Sequence, residues 1–174
     1  MKNILSKSDF LKYLQCPKYF WLYKNNPKVL EEKIIDEFAQ QIIDQGKEVE
    51  LWAQKLFPEG IAVTSRNQQA VIDTKQLLES GEKTIFQATF EADGFYAMID
   101  ILTWDEKNKY WIINEVKGTT SKEKKKEEHY SDACFQKMVM EKSGFKVGLV
   151  NLIELNKEFV KNGAIKAEKL LKTT

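Results

Sequence analysis

The chain has 174 residues, 43% of them hydrophobic and 30% charged, which fits one globular domain with a core of its own. Twenty-seven basic side chains against 26 acidic ones give a net charge of +1, so no global field demands a polyanion partner. No apolar run approaches the roughly 18 residues of a membrane span, the opening MKNILSKSDF lacks a signal-peptide core, and two cysteines, Cys16 and Cys134, make no disulfide framework. A soluble cytoplasmic protein with no membrane association is expected.

The first third reads as helix. Ser6 or Ser8 caps a start ahead of Phe10, Leu11 and Leu14, and Pro17 breaks the pattern or opens a second helix rich in aromatics, Tyr19 to Tyr23. From about Leu30 to Leu56 apolar residues recur at three and four, an amphipathic helix with an interruption expected near Gly46. A shorter helix follows from Gln68 to Leu78. The period then changes to two: Thr84 to Glu91, Phe95 to Trp104 and Tyr110 to Lys117 read as consecutive strands. Lys122 to Glu128 is a charge run feeding a helix to about Lys142; Lys146 to Leu155 is a further strand and Ala164 to Leu171 a last helix. No repeat or linker divides the chain, so residues 1–174 are taken as one domain. Three antiparallel strands, a helical crossover and a further strand imply an α/β fold with a mixed sheet flanked by helices.

Asp100, Glu115 and Lys117 stand out against these strands. Asp100 interrupts the apolar run Ala97-Met-Ile-Asp-Ile-Leu102, and an unpaired carboxylate is costly to bury. Glu115 and Lys117, two apart on a strand, share a face. A turn at Asp105 to Asn108 would set Trp104 opposite Lys109 and Asp100 opposite Ile113, diagonal to Glu115. Diagonal neighbours lie about 7–8 Å apart, close enough for two carboxylates to share a divalent ion. Magnesium takes hard oxygen ligands, and an adjacent ammonium offsets charge developing on a phosphodiester. The same residues also fit an ordinary half-solvated sheet face.

Asp100-Ile followed by Asn114-Glu-Val-Lys-Gly118 resembles the core motif of the PD-(D/E)XK nuclease superfamily. The chain is similar to its RecB-like exonuclease branch, which includes the CRISPR-associated RecB-type nucleases. SKSDFLKYLQCPKYFWLY resembles the branch's N-terminal segment, Gly46-Lys-Glu-Val-Glu50 its glycine followed four residues on by a metal-binding residue, and Asp132-Ala-Cys-Phe-Gln136 its helical glutamine motif. The resemblance spans about residues 5–160. It implies a restriction-endonuclease-like sheet and a Mg2+- or Mn2+-dependent deoxyribonuclease, exonuclease-like, acting on DNA in repair, recombination or defence. Asp100 and Glu115 would hold the metal with the Val116 backbone carbonyl, and Lys117 would be the catalytic lysine. Glu50 would add a ligand from the helix, where many relatives carry histidine. Gln136 would orient the helix or the DNA. Apart from the resemblance, Tyr130, ahead of the glutamine motif, is taken as a substrate contact. Some relatives hold an iron–sulfur cluster on four cysteines; Cys16 matches one of them, the other three are absent, and no cluster is expected.

Several alternatives stay open. Glu50 also fits a solvated helix face, and Gln136 a helix surface. The tyrosine usual four residues after that glutamine is Met140 here. These departures motivate a second reading, an inactive nuclease-like module that binds nucleic acid or a protein partner. A third has the chain as the N-terminal part of a longer protein. His129, the only histidine, reads either as a substrate contact or, more readily, as a helix-start or surface residue, and the same alternatives stand for Tyr130 and Asp132. Cys16 and Cys134 are expected to be partly buried. The run Lys122 to Lys126 reads as a solvated loop despite its place beside the motif, and the aromatics from Tyr19 to Tyr23 as core, with one of them exposed, rather than as a surface for bases.

Overall fold

A computed structural model describes residues 4–30, 37–118 and 123–174. The chain enters through a two-residue strand β1 (Leu5–Ser6) and turns at once into helix α1 (Lys7–Gln15). Of the two candidate serines, Ser6 is the cap. Its hydroxyl accepts the Asp9 N–H at 3.3 Å while the Asp9 carboxylate takes the Ser6 N–H at 3.0 Å, a capping box. Helix α2 (Pro17–Asn25) follows with Pro17 in its first turn, where no N–H is required. Cys16 caps it, its Sγ accepting the Tyr19 N–H at 3.4 Å. That role holds Cys16 at the surface, and Cys134 is also exposed, so the expected partial burial of both thiols is corrected.

The start expected near Leu30 for the next helix falls mostly on 31–36, outside the described residues. From Glu37 the helix α3 (Glu37–Gln54) runs unbroken through Gly46, which corrects the expected interruption. The α3 backbone at Gly46 lies against the end of the strand Tyr110–Lys117: a Cβ on Gly118 would come within 3.0 Å of the Gly46 Cα. The missing Cβ of Gly118 thus lets α3 close onto the end of that strand.

The sheet has seven strands and is open and mixed. After α3 come β2 (Ile61–Ala62), helix α4 (Asn67–Glu79), and the strands β3 (Thr84–Ala92), β4 (Phe95–Asp105) and β5 (Tyr110–Lys117). Helix α5 (Glu123–Lys142), β6 (Val147–Leu155), the single turn α6 (Ala167–Leu170) and β7 (Leu171–Thr173) complete the chain. The spatial order is β2-β3-β4-β5-β6-β7, with β1 beside β4. The meander β3-β4-β5 is antiparallel, and α5 carries the chain across to β6, parallel to β5. The helix expected from Ala164 shrinks to one turn because the free edge of β6 captures the chain end. Leu155 pairs with Leu171, and Leu152 and Thr174 exchange backbone hydrogen bonds of 2.8 and 2.9 Å. Among the described residues no helix is long and apolar enough to cross a membrane.

The β4–β5 register differs by two residues from the expected one: Trp104 faces Trp111, not Lys109. The turn itself explains this. Asp105 closes it, accepting the N–H groups of Lys107 and Asn108 at 3.0 and 2.9 Å, and Lys109 takes a left-handed φ of 56°. Asp105 therefore pairs with Tyr110 and the loop lies at 106–109. A shift of two leaves each side chain on its expected face.

Two apolar clusters pack the sheet. One gathers Ile85, Ala88, Ile99, Leu102 and Ile113 with Phe135, Val139 and Met140 of α5 and Ala70 of α4. The other gathers Phe86, Ile101 and Ile153 with Val49 and Ala53 of α3 and Leu171.

Candidate functional site

Strands β4 and β5 separate beyond the pair Ile101–Asn114, and the first half of β4 pairs instead with β1, Leu5 facing Phe95. Asp100 is the first β4 residue past this fork. Its Oδ2 accepts the Val116 N–H at 2.8 Å, so a carboxylate occupies the place of a ladder carbonyl. On the other side, Gln87 of β3 falls between the pairs Phe86–Ile101 and Ala88–Ile99, with a φ of +56°. That conformation is uncommon for a residue with a Cβ. Strict alternation would place Ile99 with Ile101 and Phe86 with Ala88, yet each pair is divided between the two clusters. One irregularity at Gln87 and Asp100 thus exchanges the faces of both strands.

Glu115 lies 2% exposed. Its Oε1 accepts Lys117 Nζ at 2.7 Å and Lys7 Nζ at 2.9 Å, and its Oε2 accepts the Gln136 amide at 2.6 Å. Asp132, also buried, accepts Lys117 at 2.6 Å and lies 3.5 Å from Lys7. Burial alone would raise the Glu115 carboxyl, but the two ammoniums overrule it and hold the group well below the ordinary carboxylate range. Burial likewise opposes charge on Lys7 and Lys117, and the same carboxylates reverse that and raise both. Asp100 goes the other way. Burial first and the Glu115 charge second push it up to about 8, against the pull of Lys7 and the Val116 N–H. Two neighbouring carboxyls are thereby split, one firmly ionised and one readily protonated.

The structure brings Asp100, Glu115, Lys117 and Gln136 together. Gln136 is fully buried, its amide also reaching the Met98 carbonyl at 3.3 Å, so it holds Glu115 and ties α5 to β4 rather than lying on a helix surface. Glu50 is half-buried on α3, accepts the side-chain amide of Gln87 and that of Gln54 (3.4 Å), and contributes to the upward push on Asp100. Val116 enters through its N–H. Tyr130 is not drawn into this cluster. It is 64% exposed and lines a separate pocket of about 310 Å³ with His129, Cys134 and Leu152. His129 is buried, correcting the surface reading; its burial and the Lys117 charge favour the neutral imidazole. Met140, where a tyrosine was the usual residue, is a fully buried core side chain. The run Lys122 to Lys126 lies outside the residues whose side chains are described.

Sequence reasoning missed the part that three residues play here. Lys7 stands inside the quoted opening segment, but nothing local tells which of its lysines turns inward. Asp132 precedes Gln136 by one helical turn, a spacing that puts both on one face and was a usable signal. Gln87 gives no signal, because it sits in an otherwise regular strand pattern.

Hard oxygens dominate the donor set, which fits magnesium or manganese. Among the described residues no three His, Cys, Asp or Glu side chains converge as a ready-made cage. Magnesium is commonly held by one or two carboxylates, with waters and substrate phosphates completing the shell. Asp100 and Glu115 are the two carboxylates at the fork, and Asp132 Oδ1 and Gln136 Oε1 are buried oxygens with no hydrogen-bond partner. No protein-family model and no curated protein sequence matches the chain.

Proposed function

We propose that the chain is a Mg2+- or Mn2+-dependent deoxyribonuclease with a restriction-endonuclease-like core of the RecB-like exonuclease branch. The observation that carries this reading is the convergence at the β4–β5 fork of Asp100, whose Oδ2 takes the Val116 N–H at 2.8 Å, with the buried Glu115 carboxylate and the Lys117 ammonium 2.7 Å from it. Asp100 and Glu115 would hold the ion, with Glu50 behind Asp100 and the Val116 carbonyl as a further oxygen. A bound divalent ion would supply Lewis acidity toward the phosphodiester and the attacking water. Lys117, kept protonated by Glu115 and Asp132, orients that water and offsets charge developing on the phosphate. Gln136 fixes the Glu115 carboxylate in place. DNA is the partner in this reading.

Calorimetric titration with magnesium and manganese, wild type beside Asp100→Ala/Glu115→Ala, tests it together with digestion of labelled single-stranded and duplex DNA. Binding lost in the double variant and metal-dependent digestion by wild type are the expected results. Digestion surviving in Glu115→Ala would sink the assignment.

One observation favours a second reading, a nuclease-like module that binds without cutting. Lys7 places a second ammonium on Glu115, so the carboxylate is already neutralised from within the protein. Metal-independent DNA binding with no heat of metal binding would select it.

A further inference from the structure

Charge is distributed unevenly along the chain. Residues 1–30 carry six lysines and one acid, while the remainder is net acidic. The one acid, Asp9, is buried and already paired with Lys24 at 2.7 Å. The α1–α2 hairpin built from this segment also shows its rings to solvent: Tyr13 is 50% exposed, Trp21 59% and Tyr23 41%. Of the aromatics from Tyr19 to Tyr23, expected as core with one exposed, two stand out to solvent, Trp21 and Tyr23. Lys12 Nζ stands 4.4 Å from the centroid of the Tyr23 ring, and Tyr13 rests edge-on against Phe20 with centroids 6.0 Å apart, so two of the three exposed rings are braced by a neighbour. Lys18 lies one helical turn from Trp21.

The hairpin is rooted in the site. Lys7, at the start of α1, reaches Glu115, and Phe10 stacks on Phe135 of α5 at 5.2 Å. A second exposed apolar surface, on α3, has the opposite character. On α3, Phe38 and Leu51 stand out among Glu37, Asp44, Glu48 and Glu50, with Lys47 the one basic residue of the helix. A polyanion is repelled there and attracted at the hairpin.

We propose that the α1–α2 hairpin is a stacking surface for unpaired nucleic acid, its Tyr13, Trp21 and Tyr23 rings taking bases and its exposed lysines the phosphates. Stacking needs bases free of a partner strand, since a duplex hides their faces, and it tolerates any base. The surface stands on the hairpin alone; its service as the feed to the fork rests on the nuclease reading.

The test is fluorescence anisotropy of labelled poly(dT), poly(U) and a duplex of mixed sequence, in EDTA, with the full chain at several salt concentrations. Tyr13→Ala/Trp21→Ala is expected to weaken single-strand binding about tenfold or more. Trp21→Phe, which keeps a ring, is expected to retain most of it. Lys18→Ala/Lys28→Ala, at the exposed lysine of α2 and at the exposed lysine three residues past its end, is expected to lower the slope of log affinity against log salt by about 1.4, near 0.7 for each phosphate no longer neutralised. Phe38→Ala serves as a surface control without effect.

Unchanged poly(dT) binding in the Tyr13→Ala/Trp21→Ala chain overturns the proposal, as does duplex binding of equal strength and equal ring dependence. Binding to vesicles of anionic lipid with none to the oligonucleotides overturns it too. Binding is read in EDTA and cleavage separately with magnesium or manganese, so ring-dependent binding with no cleavage in either metal would fell the nuclease reading alone. Cleavage with ring-independent binding would fell the stacking surface alone.

Discussion

The ammonium of Lys7 lies 2.9 Å from Glu115 Oε1, joining residues 108 positions apart in the chain. The pair is mostly shielded, with Lys7 26% and Glu115 2% exposed at the side chain, and Asp132 shares the same ammonium at 3.5 Å. Lys7→Met removes one of two cations that keep Glu115 ionised. The expected cost is about 1–3 kcal/mol, smaller than for breaking an isolated buried pair because Lys117 stays. Urea unfolding at neutral pH measures it, and a cost under half a kilocalorie would mean that Lys117 alone suffices.

Asp100 has the opposite linkage. A carboxyl raised in the folded state costs nothing below its unfolded pKa near 3.8, and a growing penalty as pH climbs toward about 8. Asp100→Asn retains an oxygen for the Val116 N–H and removes the penalty. In EDTA at pH 8 the variant is expected to melt roughly 2–4 °C higher than wild type, the shift of about 1 kcal/mol in a chain of this size. At pH 4 the difference should vanish. Magnesium should raise the melting temperature of wild type and leave the variant unmoved.

Gln87 carries two separable properties, a left-handed backbone and an amide on Glu50. Gln87→Gly and Gln87→Ala both delete the amide, but only glycine relieves the backbone. The glycine variant should therefore be more stable than the alanine variant by about 1 kcal/mol. Equal stabilities in thermal melts would show that the left-handed geometry is not maintained in solution.

Gly118 and Gly46 make a paired prediction. A Cβ at Gly46 meets nothing within 4 Å, so Gly46→Ala should stabilise α3 by about 0.5–1 kcal/mol. A Cβ at Gly118 meets the α3 backbone, so Gly118→Ala should cost about 1–3 kcal/mol and carry Glu50 away from the fork. Denaturant midpoints of the two variants moving in the same direction would contradict the close approach.

Asp9 provides a pH test remote from the fork. Burial opposes its charge, yet Lys24 and the Ser6 N–H and hydroxyl outweigh that and lower its pKa. A lowered carboxyl stabilises above its unfolded pKa and loses that contribution as pH falls through the folded value. Asp9→Ala should cost about 1–2 kcal/mol at pH 7 and progressively less below pH 4. A constant cost down to pH 2 would point to packing alone.

Periodicity made most of the fold legible. The meander and β6 could be placed from their apolar, β-branched runs and bounding turn residues, and the crossover helix from the stretch between them, because these elements are long enough to carry a pattern. β1 and β2 could not, since two residues carry no period, and β7 was hidden under a helical spacing that only the free edge of β6 overrides. At the site, Asp100 and Glu115 were readable as charges interrupting apolar runs. Their geometry was not, because it depends on the Asp105 turn and on the irregularity at Gln87. Lys7 was beyond reach for a simpler reason: which of several lysines a helix turns inward is decided by the partner it meets.

Because β1 pairs with a strand that begins at Phe95, the opening residues of the chain are made long before anything can hold them. At about 5–20 residues per second of synthesis, Lys7 waits roughly 5–20 s for Glu115 to be polymerised, and longer for Asp132 and Gln136. The basic, aromatic N-terminal segment is therefore exposed on the ribosome as an unanchored cationic arm. Its capture by β4 and α5 must wait for both to be made, and the cluster at the fork is complete only once Lys7, Glu115, Asp132 and Gln136 are all present.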